Sequence, residues 1–497
     1  MLMVNALAGT GKTTTGLWGL GAKVPDGVKV SDEQRKIVET MREYKGSKAA
    51  CAFNKSIADE LKERAPTGIV CATTNSFGNT AWLQHLQSRA VLDELKNRKL
   101  CRELLGTSLP WKERNRIETA VNHLVALCKC YLFDPTTTEN SNWLEGEDYT
   151  DGIGALRWLA NRFDVEWDAG IADYTQKTFT KGVNSLKLID WNDQIFMPIY
   201  HNVDIPKYGH VLVDEVQDLN RAKQEFAFRM AEEITAIGDV NQAIYGFSGA
   251  DADAMENMYE DMRNGLKLPL TITRRNPKAV VRLANTIVPE LKAAPGAPEG
   301  TVEKVGDSDI TKLISQEPCM VVCRVNAPLT GIAFKLIGQN IRCYIQGRDI
   351  GSGIKNEIKK TGEQSLRTAI KVCQESIERR KMDAWNSPYP DENKIEALDD
   401  KLNCILVLAG QTDSVDDFYT KVDTLFKDSG GKDDIRLSSV HKSKGLEHKR
   451  VIVYRNELLG RTSKKAFQTK QEKNLEYVAY TRSMDTLIRV FSEREER

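Results

Sequence analysis

A glycine-rich loop near the start of the sequence has the residue types that bind the phosphates of a nucleotide. The segment Asn5-Ala-Leu-Ala-Gly-Thr-Gly-Lys-Thr-Thr-Thr15 follows a strand-like run and precedes a helical pattern. Gly9 and Gly11 let backbone N–H groups close around phosphate oxygens, and the N-terminus of the helix adds partial positive charge. Lys12 can reach the β- and γ-phosphates, and the Thr13 hydroxyl can ligate Mg²⁺. Ala6 stands where the general motif has its first glycine, but the flanking strand and helix favour a phosphate site over a chance turn.

A pair of acids provides the second half of such a site. Val211-Leu-Val-Asp-Glu-Val-Gln-Asp218 begins as an apolar run and leads into Asp214 and Glu215. Asp214 can hold Mg²⁺ through its water shell, and Glu215 can polarise the water that attacks the γ-phosphate. Two adjacent acids after a strand are often only a solvated strand end. Their combination with the Lys12 loop favours ATP hydrolysis with Mg²⁺.

Alternating strands and helices are the elements that must position these residues. Short runs rich in valine and isoleucine recur along the chain, each followed by a loop and a helical pattern. Examples are Met1–Ala6, Lys48–Phe53, Gly68–Ala72, His210–Asp214, Ile234–Gly238, Cys319–Arg324, Arg436–Val440 and Val451–Tyr454. This alternation predicts an α/β architecture with parallel sheets. A chain of 497 residues is too long for one core and predicts about two to four domains.

Two helical stretches interrupt that alternation and are predicted to be insertions in two α/β cores. The first, 85–185, is mildly basic, with eight Lys/Arg against four Asp/Glu from Ser88 to Arg116. The second, 363–430, is acidic: twelve acidic and five basic residues lie from Asp391 to Asp434, a poor surface for phosphates. We expect the tryptophans in or beside the first stretch to pack in the core rather than to stack on bases. They are Trp82, Trp111, Trp143, Trp158 and Trp167.

The overall composition limits the compartment more than it limits the function. Seventy basic residues balance seventy acidic ones, so a nucleic-acid site must be a local groove and net charge neither supports nor excludes it. No apolar run approaches the length of a membrane span, and no signal peptide precedes the first strand. The ten cysteines form no CxxC pair, which is typical of reduced thiols. We therefore expect no membrane partner and a cytoplasmic protein.

The motifs resemble those of UvrD/Rep-like superfamily 1 DNA helicases, in the family's order along the chain. Asp214-Glu-Val-Gln-Asp218 resembles the DExQD box, and Ile237-Gly-Asp-Val-Asn-Gln-Ala-Ile-Tyr-Gly-Phe-Ser-Gly-Ala250 resembles the GDxxQxIYxFxGA segment. Ala52-Phe-Asn-Lys-Ser-Ile-Ala58 and Thr73-Thr-Asn-Ser-Phe-Gly78 resemble the two DNA-contacting motifs that follow the phosphate loop. The FNKSIA wording is similar to that of the F-box DNA helicases and of phage UvrD-like helicases. The resemblance implies a protein of a bacterial or phage-infected cell.

Four motifs in the second half of the chain resemble the same family. They are Thr273-Arg-Arg-Asn276, Cys323-Arg-Val-Asn-Ala327, Ser439-Val-His-Lys-Ser-Lys-Gly-Leu-Glu447 and Tyr477-Val-Ala-Tyr-Thr-Arg-Ser483. Nine motifs in one order, spread from residue 5 to residue 490, are very specific. The resemblance implies two RecA-like P-loop domains with parallel sheets, each carrying a helical insertion.

The resemblance also implies roles for individual residues around ATP and Mg²⁺. Arg275 and Arg482 would be arginine fingers that compensate charge as the γ-phosphate leaves. Gln242 would sense the γ-phosphate, Gln217 would help relay closure of the cleft, and Glu447 would contact the ribose. The expected catalytic residues are Lys12, Asp214, Glu215, Gln242, Arg275 and Arg482. The expected ATP-binding residues are Ala8, Gly9, Thr10, Gly11, Lys12, Thr13, Thr14, Gln217 and Glu447, with Thr13 and Asp214 at the metal.

A track for single-stranded DNA is implied by the same resemblance. Its expected residues are Phe53, Thr74, Ser76, Tyr245, Phe247, Asn326 and His441. For Phe53, base stacking and ordinary core packing are about equally supported. Phe247 is the stronger stacking residue, because the family has an aromatic residue there. Ser248 stands where family members often have arginine, which predicts a weaker hold on DNA.

These expectations combine into an ATP-dependent DNA helicase or translocase that moves 3′ to 5′ on single-stranded DNA and acts at duplex junctions. A translocase that displaces bound proteins without processive unwinding uses the same motor and stays an alternative. A scaffold gated by ATP is disfavoured by the two arginine fingers and the intact acid pair. The predicted domains are two motor domains, 1–84 with 186–265 and 266–362 with 431–497, a DNA-facing helical insertion, 85–185, and a short acidic insertion, 363–430.

The choice of nucleotide depends on whether a residue of this chain reads the adenine base. Ser31-Asp-Glu-Gln-Arg-Lys-Ile-Val38 resembles the segment with which the family reads adenine, but it follows the phosphate loop instead of preceding it. That position favours an ordinary helix start capped by Ser31 or Asp32. We therefore expect GTP or dATP to be hydrolysed almost as readily as ATP.

Overall fold

The computed structural model describes residues 1–137, 151–163, 165–245, 253–262, 265–308, 310–386, 392–431, 434–462 and 466–492. By its internal contacts the chain divides into two units. The first unit consists of Met1–Leu7 and Gly11–Leu270, and the second of Ala8–Thr10 and Thr271–Arg497. Each unit has its own sheet and its own helices.

Parallel strands form the centre of the first unit. They are β1 (Leu2–Ala6), β2 (Lys48–Ala52), β3 (Val70–Thr73), β4 (Val91–Leu92), β5 (Leu188–Ile189), β6 (Tyr208–Asp214), β7 (Ala231–Gly238) and β8 (Leu266–Leu270). Six of them make one sheet in the order β3-β2-β6-β7-β1-β8, and its pairs are parallel. The inner strands β1 and β6 are buried almost throughout, as expected for strands covered on both faces. Because carboxyl ends of parallel strands share one edge, the loops after β1, β2, β6 and β7 meet there.

The helices of the first unit cover this sheet and fill the segment between β3 and β6. They are α1 (Lys12–Leu20), α2 (Asp32–Glu43), α3 (Lys55–Arg64), α4 (Thr74–Leu86), α5 (Lys96–Leu105), α6 (Trp111–Cys130), α7 (Gly152–Arg162), α8 (Ala169–Val183), α9 (Asp193–Tyr200), α10 (Arg221–Arg229) and α11 (Ala254–Asp261). Helices α5 to α8 lie between the short strands β4 and β5, which pair with each other. One apolar core continues from these helices into the sheet.

A buried charge network ties three of these helices together. Lys96 Nζ lies 2.7 Å from Asp193 Oδ2, and Lys129 Nζ lies 2.6 Å from Asp190 Oδ2. Lys129 also pairs with Asp193, and all four side chains are buried. Removing any one of them would leave an uncompensated charge in the core. The network therefore holds α5 and α6 in a fixed arrangement against the start of α9.

The tryptophans of the first helical stretch are divided between core and surface. Trp82 is fully buried, as predicted. Trp111 is 71% exposed at the first residue of α6, so the prediction that it packs in the core is wrong. The helix begins there after Pro110, and its apolar stripe starts only at Ile117. Trp143 lies outside the described residues.

The second unit is built on a parallel sheet of its own. Its strands are β9 (Ile272–Thr273), β10 (Lys292–Ala293), β11 (Thr301–Gly306), β12 (Met320–Cys323), β13 (Cys343–Gln346), β14 (Phe426–Lys427), β15 (Ile435–Ser439), β16 (His448–Tyr454) and β17 (Ser483–Phe491). Seven of them form the sheet, in the order β11-β17-β16-β12-β15-β13-β14. The central strand β12 is buried along its whole length.

Helices surround the second sheet. They are α12 (Lys278–Ala284), α13 (Ile310–Ser315), α14 (Ala327–Gly338), α15 (Arg348–Lys359), α16 (Leu366–Trp385), α17 (Glu392–Ala409), α18 (Val415–Leu425), α19 (Val440–Ser443) and α20 (Ala466–Tyr480). Helices α15 to α18 fill the segment between β13 and β14 and share the core of the sheet. Within the described ranges, no helix has the length and apolar character needed to cross a bilayer.

The predicted α/β class with parallel sheets in two domains is confirmed. The predicted strand runs lie on strands of the structure, with ends that differ by up to three residues. The residue ranges assigned to individual domains and insertions stay predictions.

Candidate active site and nucleic-acid interface

The glycine-rich loop has the backbone that a phosphate cradle needs. Gly9 and Gly11 adopt φ values of +71° and +83°, a left-handed conformation that favours glycine. Helix α1 begins at Lys12 directly after Gly11, and no side chain caps its first N–H groups. Uncapped N–H groups at a helix N-terminus are donors available to an anion. Ala8, Gly9 and Thr10 group with the second unit, whereas Gly11 and the following residues group with the first.

The loop and the acid pair meet at the carboxyl edge of the first sheet. The Thr13 hydroxyl donates a 2.8 Å hydrogen bond to Asp214 Oδ2, and Lys12 Nζ donates a 3.3 Å bond to Glu215 Oε2. Both contacts span about two hundred residues of sequence and follow from the position of β6 near β1 in the sheet. The structure thus brings together the lysine, the hydroxyl and the two carboxylates that sequence reasoning assigned to one site.

Burial and mutual repulsion set the electrostatics of this cluster. Burial raises the pKa of Asp214 to about 6, Glu215 adds to the rise, and Lys12 opposes it. Burial by itself would lower the pKa of Lys12, but attraction by Glu215, Asp239 and Asp214 raises it overall. The pKa of Asp239 is also raised, mainly by burial. The pocket therefore concentrates negative charge around a single ammonium group.

A chain of hydrogen bonds continues from Glu215 into the next strand. Gln217 Nε2 donates to the Glu215 carboxylate, while Gln217 Oε1 accepts a 3.0 Å bond from the Asp239 backbone N–H. Gln242 Nε2 in turn donates a 2.7 Å bond to Asp239 Oδ2. Asp239 is completely buried and was missed by sequence reasoning, although it stands in the quoted Gly-Asp-Val-Asn-Gln segment.

Glu215 also has an unusual backbone. Its φ of 54° and ψ of 45° place it in the left-handed region, which costs a residue with a Cβ atom free energy. The Glu215 N–H donates to Asp214 Oδ1 at 2.9 Å, which holds the turn. This conformation directs two neighbouring acids into one site, one towards Thr13 and the other towards Lys12.

These residues fit ATP and Mg²⁺. The glycine turn with its uncapped helix suits phosphate oxygens, and Lys12 supplies a cation beside them. Thr13 and Asp214 offer a hydroxyl and a carboxylate oxygen close together, the hard donors that Mg²⁺ takes along with water. A divalent cation would also relieve the excess negative charge of Asp214, Glu215 and Asp239. Thr14, the remaining loop residue expected at ATP, accepts a 2.7 Å bond from Arg64 Nη2.

The expected arginine fingers both belong to the second unit. Arg275 Nε donates a 2.5 Å bond to Glu447 Oε2, so these two expected ATP contacts form an ion pair. Arg482 is only 1% exposed. Its guanidinium donates to the backbone carbonyls of Val478 at 2.9 Å and Leu446 at 3.1 Å. The catalytic roles of both arginines stay predictions.

Two of the expected DNA-contacting aromatics stack on each other in the first unit. The rings of Phe53 and Tyr245 lie 6.1 Å apart and are nearly parallel, at 12°. Lys223 Nζ lies 5.1 Å from the centre of the Phe53 ring. Burial, with Asp218 and Glu215 as further causes, raises the pKa of Tyr245 to about 12. Tyr245 therefore lies close enough to Asp218 and Glu215 for their charges to affect its pKa. Phe247 and Ser248 lie outside the described residues.

The other expected DNA contacts differ in exposure. At the start of α4, Thr74 is buried and Ser76 is exposed. In the second unit, Asn326 Nδ2 donates a 3.0 Å bond to Asp400, whose carboxylate also accepts from the N–H groups of Asn326 and Ala327. Burial, together with Arg324 and Lys444, lowers the pKa of His441 to about 3, so its ring is neutral near pH 7.

Trp191 is an exposed aromatic residue that sequence reasoning missed. It is 50% exposed in the turn after β5, and its indole N–H donates to Glu94 at 2.9 Å. Its carbonyl accepts a 2.8 Å bond from Asn75 Nδ2, which places it beside the motif that contains Ser76. The sequence signal that could have indicated an exposed aromatic residue is a tryptophan flanked by polar residues, in Ile189-Asp-Trp-Asn-Asp193.

A lysine-bearing glycine loop and an acid pair at the edge of a parallel sheet define the class of P-loop nucleotide-binding proteins. Within that class, residues 1–263 match the family model of the UvrD/REP helicase N-terminal domain. Residues 354–494 match the model of the UvrD-like helicase C-terminal domain. The chain therefore belongs to the UvrD-like helicase family.

Individual relatives agree with this assignment. The F-box DNA helicase protein 1 of Schizosaccharomyces pombe is 23% identical over an alignment that covers 98% of this chain and 55% of that protein. The ATP-dependent DNA helicase srs2 of the same yeast is 33% identical over 17% of this chain and 10% of its own length. The ATP-dependent DNA helicase PcrA of Bacillus subtilis is 28% identical over 24% of this chain and 17% of its own length. The chain thus spans about half of the relative that it matches from end to end.

Proposed function

We propose that the chain is an ATP-driven motor that moves 3′ to 5′ on single-stranded DNA and separates the strands of a duplex at a junction. The observation that carries the proposal is the position of the cluster Lys12, Thr13, Asp214 and Glu215 at the same sheet edge as the Phe53–Tyr245 stack. The 3′ to 5′ direction rests on resemblance to the family. When a nucleotide site lies beside a stacking surface, hydrolysis can change the affinity of that surface for a DNA base.

In the hydrolysis step, each residue of the cluster has a distinct task. Bound Mg²⁺-ATP supplies the γ-phosphate and the metal's positive charge. The first N–H groups of α1 and the Lys12 ammonium hold the phosphates. Thr13 and Asp214 would hold Mg²⁺, and Glu215 would accept a hydrogen bond from the attacking water and orient it. Gln217 positions Glu215 and Asp239 positions Gln242, each through a hydrogen bond. Arg275 and Arg482 remain the proposed arginine fingers.

The DNA track is proposed to begin with the partly exposed aromatics of the first unit. Phe53, Tyr245 and Trp191 offer ring faces to bases, and Lys223 adds a cation next to Phe53. Ser76 is exposed, and its hydroxyl, which shares a 2.9 Å hydrogen bond with the Thr73 hydroxyl, is proposed to face a phosphate. Five of the eight cations of the 88–116 stretch pair with acids, among them Arg102 with Glu118: Lys96, Lys99, Arg102, Arg114 and Arg116. The track is therefore expected to depend on stacking more than on charge.

The decisive experiment measures single-turnover unwinding of duplexes with a 3′ tail or a 5′ tail. We expect ATP-dependent unwinding of the 3′-tailed duplex, and none with Lys12→Ala. Efficient unwinding only from a 5′ tail would contradict the direction. A parallel assay follows displacement of streptavidin from biotin-tagged single strands. Displacement without any unwinding would favour the translocase alternative, and absence of DNA-stimulated hydrolysis would contradict the motor itself.

A second experiment tests the track. Phe53→Ala should raise the concentration of single-stranded DNA that gives half-maximal ATPase stimulation by about five- to 150-fold. Loss of one stacking contact costs about 1–3 kcal/mol. The matched control is Phe163→Ala, which removes a partly buried phenylalanine that packs on Tyr131 in the first unit. Equal stimulation in Phe53→Ala and wild type would remove Phe53 from the track. From the sequence we expect Phe247→Ala to behave like Phe53→Ala.

A further inference from the structure

Gln34 connects helix α2 to the phosphate loop through both ends of its amide. The start of α2 is capped by Ser31, whose hydroxyl accepts a 3.2 Å bond from the Gln34 N–H. Gln34 Oε1 accepts a 3.2 Å bond from the Ser31 N–H in return. The expected cap by Ser31 is therefore confirmed. At this third helical position a glutamate would serve equally well, because the cap needs only an acceptor.

The amide nitrogen is what a glutamine adds, and the structure uses it elsewhere. Gln34 Nε2 donates a 2.9 Å bond to Thr15 Oγ1 in helix α1, nineteen residues earlier. Thr15 Oγ1 donates a 2.9 Å bond to the Gly11 carbonyl, which also accepts the Thr15 N–H at 2.8 Å. Gln34 is 2% exposed and Thr15 is fully buried, so water does not compete for these bonds.

The Gly11 carbonyl is a sensitive point of the loop. Gly11 is the last residue before α1, and its left-handed φ of 83° makes the turn that opens the cradle. The peptide between Gly11 and Lys12 is planar, so the direction of the carbonyl sets the opposite direction of the Lys12 N–H. Fixing the carbonyl towards Thr15 therefore aims the Lys12 N–H out of the helix, towards a bound phosphate. A Cβ at Gly11 would lie 3.5 Å from Gln34 Nε2, so the glutamine also packs directly against this turn.

We propose that Gln34 is a positioning residue for the phosphate loop, acting through Thr15 on Gly11, and that it does not read the base of the nucleotide. The inference rests on the proposed nucleotide hydrolysis. Both ends of the amide are bonded inside the protein and the side chain is almost fully buried, so little of it is accessible to a purine. Because phosphates are common to all nucleotides, loss of the Gln34 bond weakens their binding independently of the base.

The test compares Gln34→Glu and Thr15→Val with wild type in steady-state hydrolysis of ATP and GTP. Thr15→Val removes the hydroxyl at nearly constant volume and without a change of charge. It should raise KM for ATP and for GTP by the same factor, about threefold to tenfold, the scale of one neutral hydrogen bond. Gln34→Glu keeps the acceptor that caps α2 and removes the donor, but it also adds a carboxylate near the phosphates, so it should raise both KM values by at least that factor. Since the loop holds ground state and transition state alike, kcat should stay within about twofold.

Three controls separate this role from a general effect on folding. Ser31→Ala weakens the start of α2 but leaves the Gln34–Thr15 bond, so its KM values should equal those of wild type. Thr15→Ser keeps the hydroxyl and should retain most of the affinity. The double variant Gln34→Glu with Thr15→Val should have KM values no higher than those of the more impaired single variant, because both substitutions remove the same connection. Thermal unfolding of each variant checks that the fold persists.

Direct titration with Mg²⁺-ADP and Mg²⁺-GDP gives a readout that does not depend on hydrolysis. Equal weakening of both in Thr15→Val as well as in Gln34→Glu supports the inference even if wild type proves to be a poor ATPase, which would count only against the proposed function. A loss confined to adenine nucleotides would show that Gln34 reads the base. Unchanged affinity for both, or an equal loss in Ser31→Ala, would also overturn the inference.

Discussion

Replacing Gln217 tests whether its two hydrogen bonds position Glu215 for hydrolysis. The side chain is 2% exposed and lies between β6 and β7, where it accepts from the Asp239 N–H and donates to the Glu215 carboxylate. Gln217→Ala removes both bonds at once and leaves the metal-side pair of Thr13 and Asp214 untouched. We expect a lower kcat for DNA-stimulated ATP hydrolysis together with a smaller free energy of unfolding.

The two losses have different sizes and different consequences. The Asp239 N–H would be buried without an acceptor, which costs about 1–3 kcal/mol of stability. The bond from Gln217 to the ionised Glu215 is a charge-assisted one, worth about 1.5–3 kcal/mol. If that bond holds Glu215 on the attacking water in the transition state, its loss lowers kcat roughly ten- to 150-fold.

Gln217→Glu sharpens the same test. It keeps an acceptor for the Asp239 N–H but places a second carboxylate against Glu215. Two like charges about 4 Å apart repel by about 4 kcal/mol at an effective dielectric constant of 20. One of the two carboxyls should then hold a proton, and Glu215 should lose much of its ability to orient water. We expect kcat to fall further than in Gln217→Ala.

The assay is steady-state hydrolysis at saturating Mg²⁺-ATP and single-stranded DNA, with thermal unfolding of each variant measured in parallel. The matched control is Gln224→Ala. Gln224 is a glutamine with 1% exposure in the same unit, and its amide bonds to Arg221 and to the Leu219 carbonyl instead of to the acid pair. If Gln217→Ala and Gln224→Ala lose stability alike and both keep wild-type kcat, the reasoning that Gln217 orients Glu215 is refuted.

Four further outcomes are expected. Lys12→Ala should abolish ATP hydrolysis while circular dichroism stays native, and hydrolysis near the wild-type rate would contradict the phosphate assignment. Arg275→Ala and Arg482→Ala should keep nucleotide binding but lose turnover by about a thousandfold; the buried Arg482 should also lose thermal stability, and equal losses in binding and turnover would indicate a structural role. ATP and GTP should be hydrolysed at similar kcat/KM, and a strong preference for ATP would contradict this. Burial lowers the pKa of the fully buried His210 to about 4. The free energy of unfolding should therefore be unaffected by this residue above about pH 6.5 and should fall by up to about 3 kcal/mol towards pH 4. His210→Leu should flatten that part of the pH–stability curve, and an unchanged curve would exclude the histidine as its cause.

The inner strands β1, β6, β7 and β12 were predictable from the sequence because their apolar runs are continuous. They are covered on both faces, and that requirement is visible in the residues themselves. The predicted runs do not include the inner strands β13, which has only four residues, and β17, whose apolar residues are interrupted by polar ones. They do not include the edge strands β8 and β11 either. β8 carries Pro269, which only an edge position tolerates easily, and β11 is mostly exposed with a mixed sequence. One-sided burial leaves too weak a pattern in five or six residues.

Tryptophan burial shows a second limit of the sequence. Trp82 and Trp111 lie in helical patterns of similar character, yet one is fully buried and the other is 71% exposed. The difference depends on what packs against each helix: α4 lies against α9, whereas the first turn of α6 is solvent-exposed. Nothing within either helix encodes that neighbour.

The sequence alone determined the family, the α/β class and the chemistry of the phosphate loop and acid pair. These depend on residue types at short spacing, such as Gly11 before Lys12 or Asp214 before Glu215, where a local turn already sets the geometry. Only the tertiary structure decided which side chains support them. That Gln217 meets Asp239, and that Gln34 reaches Thr15, follows from the adjacency of β6 to β7 and from the packing of α2 on α1. Such contacts join residues nineteen or more positions apart, and the packing of whole elements, not the local sequence, brings them within hydrogen-bonding distance.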